Sequence, residues 1–472
     1  MENWTPLPLD KGIFRNVDDD AVIGYMTAIE NGYVNEFGGH SRFPGLVPFA
    51  PLPDNGRVTL NDLNGDMIAA TSKGQVYRID KNANVENLTG VPLSGGRRAI
   101  FAKTDKGEMH IAAGGSIVRL RGEKTELLSP NAPQSSHVGF IDGFTLATEI
   151  NSNRFYHTPA GQPEVWNPLD TFAADGSSDN ITTLMITPFR EIMLGGPESI
   201  EQFESTRSGD VPFFRRWSTG DGVAVPYAMI FADNALWTLN KLYEFVRTSG
   251  QVSIAASSEI GALLERIDDW TDGWIGGFPD NPLHIEGQKF ILLQAPYATN
   301  QYGTKGVTLL FDYRNKRWFE LFGWNVDDGT PVRWPGWSHW PLWGRVFVGG
   351  EGMIYELKSG VYNNAGLIQR WLARTSNIAE GRELSIKRFR LRIKRGIGGQ
   401  TADATISVRC SRDGRPFGPW ISRQLGKPGE TRKVIEFGSF GVADTFQFEI
   451  MSTDDINIQL MRAEVVAEPV GH

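Results

Sequence analysis

Seven histidines, His40, His110, His137, His157, His284, His339 and His472, are scattered through the 472 residues with no pair at metal-ligand spacing. Each reads as a strand or surface histidine. The one cysteine, Cys410, allows no intramolecular disulfide and no thiolate metal site, which fits assembly in a reducing cytoplasm. No Gly-x-Ser-x-Gly elbow, Walker loop, His-Glu-x-x-His box or dinucleotide fingerprint stands in a supporting context. The carboxylate pairs Asp268-Asp269 and Asp327-Asp328 lie in polar loop contexts. They could act as glycosidase acids only if folding brought carboxylates about 5–10 Å apart. No catalytic residue, cofactor or metal site is expected.

Two segments carry other chemistry. Ser411-Arg412-Asp413-Gly414, followed by Trp420, is similar to the Ser-x-Asp-x-Gly-x-x-Trp box of sialidase-like propellers, but its glycine is out of register. Asp-Gly between two strands is itself a hairpin signal, because both central positions of a type I′ turn need positive φ. Trp334, Trp337, Trp340 and Trp343 recur every three residues among Pro and Gly, so they cannot form a regular helix. They read as packing between the last blades, with a subunit interface or a sugar-stacking platform as the functional alternatives. Trp337, Trp340 and Trp343 are the interface candidates.

Charge is uneven. The chain carries −8 overall. From Gly366 onward 17 Lys and Arg stand against 12 Asp and Glu, about +5, leaving about −13 on the first 365 residues. Such an acidic part should not grip phosphates, although DNA could slide past it. The basic residues concentrate in Leu384–Lys394, where Leu384, Ile386, Phe389, Leu391 and Ile393 alternate with Lys387, Arg388, Arg390, Arg392 and Lys394. The charged face reads as solvated, or as a basic patch meeting an acidic partner or passing DNA, with Arg390 and Arg392 its candidates. Reversing both to Glu is expected to weaken assembly more than folding.

The elements behind these residues are β. Gly (53) and Pro (26) are abundant, as a fold of short strands and tight turns requires. Hairpin patterns start at Asp66, Glu108, Gly143, Arg190, Asn234, Gln288 and Gly344, at near-constant spacing. Repeats of about 40–50 residues with several strands each are the signature of propeller blades. The expected fold is all-β: a six- or seven-bladed β-propeller, then a C-terminal antiparallel β-sandwich. Residues 1–50 would form an N-terminal arm, with a strand near Leu7–Phe14 closing the ring; 51–365 would form the propeller and 366–472 the sandwich. A short helix is expected after Ser257-Ser258, a Ser capping its start and Ile260, Leu263, Leu264 and Ile267 on one face. The opening residues from Met1 to Arg15 contain no apolar signal-peptide core, and no apolar run is long enough to span a membrane.

The order of several pieces resembles a known family. Leu7-Pro-Leu-Asp-Lys-Gly12, Asn16 and Phe43-Pro-Gly45 come first. Arg154-Phe-Tyr156, Arg190-Glu-Ile-Met193, Ser199-Ile-Glu-Gln-Phe203 and Ile254-Ala-Ala-Ser-Ser-Glu-Ile260 follow, and then Ser411-Arg-Asp-Gly414. Together they are similar to the packaged-DNA stabilisation (tail accessory, hub or nozzle) proteins of short-tailed bacteriophages. The resemblance implies a non-enzymatic virion protein assembled in the host bacterial cytoplasm. It implies a ring, a hexamer by expectation, below the portal and adaptor. The ring would extend the channel for double-stranded DNA, meet a needle or plug, and leave room for tailspikes or fibres as neighbours. The alternatives are a glycan-binding or glycan-degrading propeller of sialidase-like or tailspike type, and a receptor-binding or scaffold propeller.

Overall fold

The structure is a computed structural model that describes the chain apart from residues 1–2, 8, 16–24, 207–210, 277–282, 286, 396–403, 427–431 and 471–472 and the side chains of 284 and 380. Pro8, Asn16, His472 and the His284 side chain therefore lie outside the described residues. Among the described residues no helix is long and apolar enough to cross a membrane.

Among the described residues five of the seven anticipated hairpins form the middle of separate four-stranded antiparallel sheets, and the sixth and seventh lie in larger sheets of sixteen and six strands. In the first blade the hairpin Asp66–Thr71 and Val76–Ile79 is flanked by Val58–Leu63 and Val85–Asn87. Its second strand is buried on both faces. Ile68 and Ala70 pack with Phe101, Met109 and Ile111 of the second blade. Met67 and Ala69 pack with Trp340, Phe347 and Ile354 of the seventh. Alternate residues thus serve opposite neighbours, which is why these strands read as continuous apolar runs.

The seventh blade is Ser338–Leu342, Arg345–Gly349 and Met353–Lys358, completed by Gly45–Pro51 with Leu46 opposite Leu357 and Ala50 opposite Ile354. The expected closing strand near Leu7–Phe14 is therefore corrected. Thr5–Leu7 instead pairs with Ile458–Pro469 of the sandwich, Leu7 opposite Ala463. On its far side Gly45–Pro51 pairs in parallel with Asn363–Asn364, Leu46 opposite Asn364, so Pro48 and Pro51, which lack N–H donors, lie beyond that short pairing.

The sixth blade, Trp274–Gly276, Gln288–Thr299, Lys305–Asp312 and Arg317–Glu320, does not end at its outer strand. Glu320 bridges in parallel to Glu30 of Met26–Glu30, whose other edge pairs with Trp371–Thr375 and so leads into the sandwich. There the 18-residue strand Ile378–Arg395 pairs along one edge with Ile458–Pro469. On its other edge it pairs first with Gly441–Ser452 and then with Lys433–Phe437. Leu384, Ile386, Phe389, Leu391 and Ile393 are all buried, as their alternation requires. The three-residue step from Ile386 to Phe389 coincides with a break in register between Ile386 and Arg388. An extra residue there keeps both apolar halves on the core face. Phe389 stacks on Phe448 with ring centroids 4.6 Å apart.

Two local expectations need correction or refinement. The helix is short, Gly261–Glu265, and its N-cap is Ile260 with no side-chain cap. Ser257 is unavailable because its hydroxyl accepts the Phe245 N–H, and the Ser258 hydroxyl bonds Glu259. Ile260 and Leu264 are buried as their spacing implies. At Asp413-Gly414 both φ angles are positive, 51° and 69°, and the Arg415 N–H donates to the Arg412 carbonyl at 3.0 Å, as a type I′ turn requires.

Candidate functional site

The first strands of the blades are short, and each places residues on one shared axial cavity of about 270 Å³. Thr59, Ala99, Val138, Leu184, Met229, Ile275 and Ser338 contribute one from each blade. The wall is mainly apolar, but polar groups gather at one region of it. Arg98 follows the bend Gly95-Gly96-Arg97 that leads into the second blade. Its guanidinium lies over the Trp274 ring, 4.5 Å from the centroid, and Nη1 donates to the Trp337 carbonyl at 2.5 Å. Its Nε–H is buried without a hydrogen-bond partner. Burial pulls its pKa down to about 10, so it remains a cation at neutral pH.

Among the described residues no carboxylate makes a direct ion pair with that cation, although Asp272 acts on it at a distance. The nearby Asp272 is ion-paired with Arg57, which also donates to the Tyr297 hydroxyl at 2.8 Å. Tyr227 stacks on His137 at 5.2 Å, and its buried hydroxyl has no partner. Burial pushes Tyr227 up to about 12 and His137 down to about 3, so both are neutral. A buried donor without an acceptor costs about 1–3 kcal/mol, more when charged.

A second polar cluster lies where the sixth blade meets the sandwich. Glu30 is fully buried and bonds Arg370 and the Tyr302 hydroxyl. Arg15 pairs with Glu320 at 2.5 Å. Glu449, also fully buried, is held by Arg374 at 2.5 Å and by Arg409. Burial raises the Glu320 carboxyl to about 7; Arg15 opposes the shift and Glu30 adds to it.

The tryptophans have work inside the chain. Trp337 is buried with Arg333 at 4.0 Å and Arg57 at 5.1 Å from its ring, and its N–H donates to Glu351 at 3.1 Å. Trp340 is buried and Trp343 half-buried; their N–H groups reach across to Asp62 at 3.0 Å and the Gly65 carbonyl at 2.8 Å in the first blade. Trp334 folds back so closely that a Cβ on Gly336 would stand 2.0 Å from its ring, which explains the glycine between the tryptophans. Trp334, Trp337 and Trp340 are buried and offer no open platform for stacking a sugar, whereas Trp343 is half-buried.

Arg390 and Arg392 both bond Glu464, a buried residue on the neighbouring strand, and Arg390 also lies over Trp4 at 3.9 Å. Lys387 and Arg388 face Glu468 and Glu436 more loosely, at 3.8 and 3.9 Å. The basic run is thus partly neutralised by acids of adjoining strands. Reversing Arg390 and Arg392 would press carboxylates against Glu464, so the expected effect on folding grows.

The carboxylate pairs are tied into loops. Thr299 donates both N–H and hydroxyl to Asp268 at 2.8 Å, and Thr271 donates its N–H to Asp269 at 2.8 Å, holding both acids below their ordinary value. Asp327 and Asp328 flank an exposed turn, where Asp328 accepts from Asn325. Cys410 is half-buried and pushed up to about 12 by burial, so it is no nucleophile at neutral pH. Among the described residues no group of three or more His, Cys, Asp or Glu could hold a metal ion. Sequence reasoning singled out neither Arg98, Tyr227 nor Trp274. The only local signal was a double arginine after two glycines, which is weak.

No family model matches the chain, and no curated protein matches it significantly. Solved structures do. BamB from Moraxella catarrhalis is 12% identical over 70% of this chain and 97% of its own, with a TM-score of 0.39. The extracellular domain of a hybrid two-component system from B. thetaiotaomicron is 9% identical over 88% and 63%, TM-score 0.43. An exo-beta-1,3-galactanase from Phanerochaete chrysosporium is 10% identical over 90% and 100%, TM-score 0.26. No functional argument rests on similarities this low.

Proposed function

We propose that the protein is a structural component of a short-tailed bacteriophage tail, a nozzle subunit that forms a ring below the portal and adaptor and helps retain and then release the genome. The observation that carries the reading is the ordered set of family-like pieces together with the elements they occupy. Arg190-Glu-Ile-Met193 and Ser199-Ile-Glu-Gln-Phe203 fall on paired strands, Ile192 opposite Phe203. Ser411-Arg-Asp-Gly414 falls on a type I′ turn. The junction supports it mechanically. A blade whose outer edge continues into a second β-structure, with buried ion pairs along the seam, makes one stiff body suited to a wall under pressure.

The axial cavity holds on the order of nine waters at about 30 Å³ each. A duplex with a major groove alone about 12 Å wide cannot enter it. In this reading DNA passes between copies, along the acidic propeller parts, and not through any propeller. A negative wall repels the DNA backbone and keeps it from sticking during ejection. The decisive experiment is light scattering with negative-stain imaging of the purified chain, alone and with a portal–adaptor complex. A closed ring, spontaneous or formed on the adaptor, is the expected result. A persistent monomer that ignores the adaptor overturns the proposal and moves attention to glycan binding and hydrolysis.

A further inference from the structure

The third blade carries an extra length of chain. Its strands are Val138–Ile141, Phe144–Thr148, Arg154–His157 and Thr171–Ala173. Residues 158–170 join the last two, where residues 122–123 suffice in the second blade and 250–251 in the fifth. Long ordered connections in compact domains are usually functional, because a blade needs only a turn there. This one is pinned at two points. Trp166 is buried among Ile117, Leu128, Val138 and Ala147, with its N–H on the Pro163 carbonyl at 2.9 Å. Lys106 of the second blade donates to the Gly161 carbonyl at 2.7 Å. Pro159, Ala160 and Asp170 of the connection wall a cavity of about 500 Å³, within the ~300–1,000 Å³ of small-molecule sites.

The remaining wall comes from Asp142, Phe144 and His157 of the third blade and Arg190 of the fourth. Arg190 is paired with Asp142 across the gap between the blades, and its side chain is still more than half exposed. Asp170 is half-buried, and its carboxylate accepts one long bond, from Asn167 at 3.4 Å, which leaves acceptor capacity. His157 is 8% exposed, packed by the rings of Phe144, Phe172 and Phe213. Its Nδ1 lies 3.1 Å from the Thr158 carbonyl, which can only accept, so Nδ1 carries the hydrogen and Nε2 is left as an acceptor. Among the described residues Nε2 has no hydrogen-bond partner, yet it is not sealed as the Nε2 of His110 is; the ring opens onto the cavity.

We infer that this cavity binds a saccharide, with Asp170 and His157 accepting from its hydroxyl groups, Arg190 donating to them, and Pro159 and Ala160 meeting the apolar face of the ring. Both signs of charge stand in one chamber. An organic ammonium would lie beside Arg190 and an anion beside Asp142 and Asp170, each facing a like charge. A sugar is neutral, and each of its hydroxyls both donates and accepts, so one molecule serves carboxylate, imidazole and guanidinium together. Binding here is independent of ring formation.

The test is saturation-transfer NMR on the full chain at neutral pH, with the methyl glycosides of glucose, galactose, mannose, rhamnose and N-acetylglucosamine as probes. n-Butylammonium and acetate are the charged controls. At least one glycoside should saturate with a Kd of about 20 mM or tighter, and both ions should bind more weakly. Asp170→Asn keeps the shape and removes the charge; it should weaken that glycoside by ~5-fold or more, as loss of a charge-assisted hydrogen bond implies. Arg190→Gly removes the guanidinium at a position whose φ of 65° glycine adopts without strain, and should cost a similar factor. It keeps the test open should the aspartate variant misfold. No glycoside saturating at that level, either ion binding as tightly as the best glycoside, or an affinity unchanged in the folded variants would each overturn the inference.

Discussion

At the seam between the sixth blade and the sandwich, Glu30, Glu320 and Glu449 stand opposite Arg15, Arg370, Arg374 and Arg409. At the propeller axis Arg98 lies against Trp274 with its nearest acid already engaged. Both regions take guanidinium groups out of water. At the seam every buried carboxylate has at least one arginine on it, and the neighbouring Tyr302 and Gln301 supply further bonds to Glu30. Removing one partner there should therefore leave a stranded charge. At the axis no described carboxylate pairs directly with Arg98, so removing that charge should relieve a cost. The contrast teaches that a guanidinium can be buried in two ways: paired with carboxylates at the seam, and held by an aromatic face and a carbonyl at the axis.

The largest effect should come from breaking the closed cluster. Glu449→Ala strands Arg374 and Arg409 and should destabilise the fold by about 3–5 kcal/mol in denaturant unfolding. A loss below about 1 kcal/mol would mean that the seam is not closed in the sense drawn here.

Next comes pH. Burial raises the folded-state pKa of Glu320 to about 7 from an ordinary 4.5, so folding favours its protonated form. The stabilisation from this group is complete below about 4.5 and fades as pH rises through about 7. On the order of 3 kcal/mol should be lost across that window, and Glu320→Gln should flatten the decline. His40, His110 and His137 act with the opposite sign. Burial lowers them to about 4, 4 and 3, so their contribution is complete above 6.5 and lost as pH falls. Melting temperature against pH for the wild type and Glu320→Gln separates the two slopes.

At the axis, Arg98→Met should leave stability unchanged or raise it by about 1 kcal/mol, since an apolar side chain replaces a buried cation with no directly paired carboxylate among the described residues. Destabilisation as large as that of Glu449→Ala would erase the distinction between the two regions. Smallest of all, Lys387→Ala on the exposed sandwich face should change stability by no more than about 0.5 kcal/mol, because its contact to Glu468 is long and solvated. A marked loss of ring formation with intact folding would instead make that face an interface.

Much of the fold was legible because its information is local. Strands two and three of each blade are joined by short turns, so one stretch of sequence carries both the apolar runs and the turn that pairs them. In the first blade the Gly74 N–H donates to the Thr71 carbonyl at 2.9 Å, with Gly74 at φ 84°, to make such a turn; Asn64-Gly65, with φ of 53° and 89°, joins strands one and two in the same way, and Asp413-Gly414 turns the chain in the sandwich. The alternation from Leu384 to Ile393 was equally plain, including the step that became a register shift. The helix cap failed for a reason no local pattern carries: Ser257 had a better use on the Phe245 backbone.

By itself, then, the sequence determined the strand pairs, the count of repeating hairpins and the buried faces, since these depend on side-chain period and on turns that only a few residue types allow. Tertiary structure alone decided which distant strand completes the seventh blade. Gly45–Pro51 joins Met353–Lys358 across about 300 residues, through main-chain bonds that any sequence could make. It also decided which first strands face one another. Arg98, Tyr227 and Trp274 belong to three different blades and meet only because seven sheets stand around one axis. Nothing within the reach of a single strand's pattern records that meeting, because the forces that bring it about are the packing of apolar sheet faces far from the residues that meet.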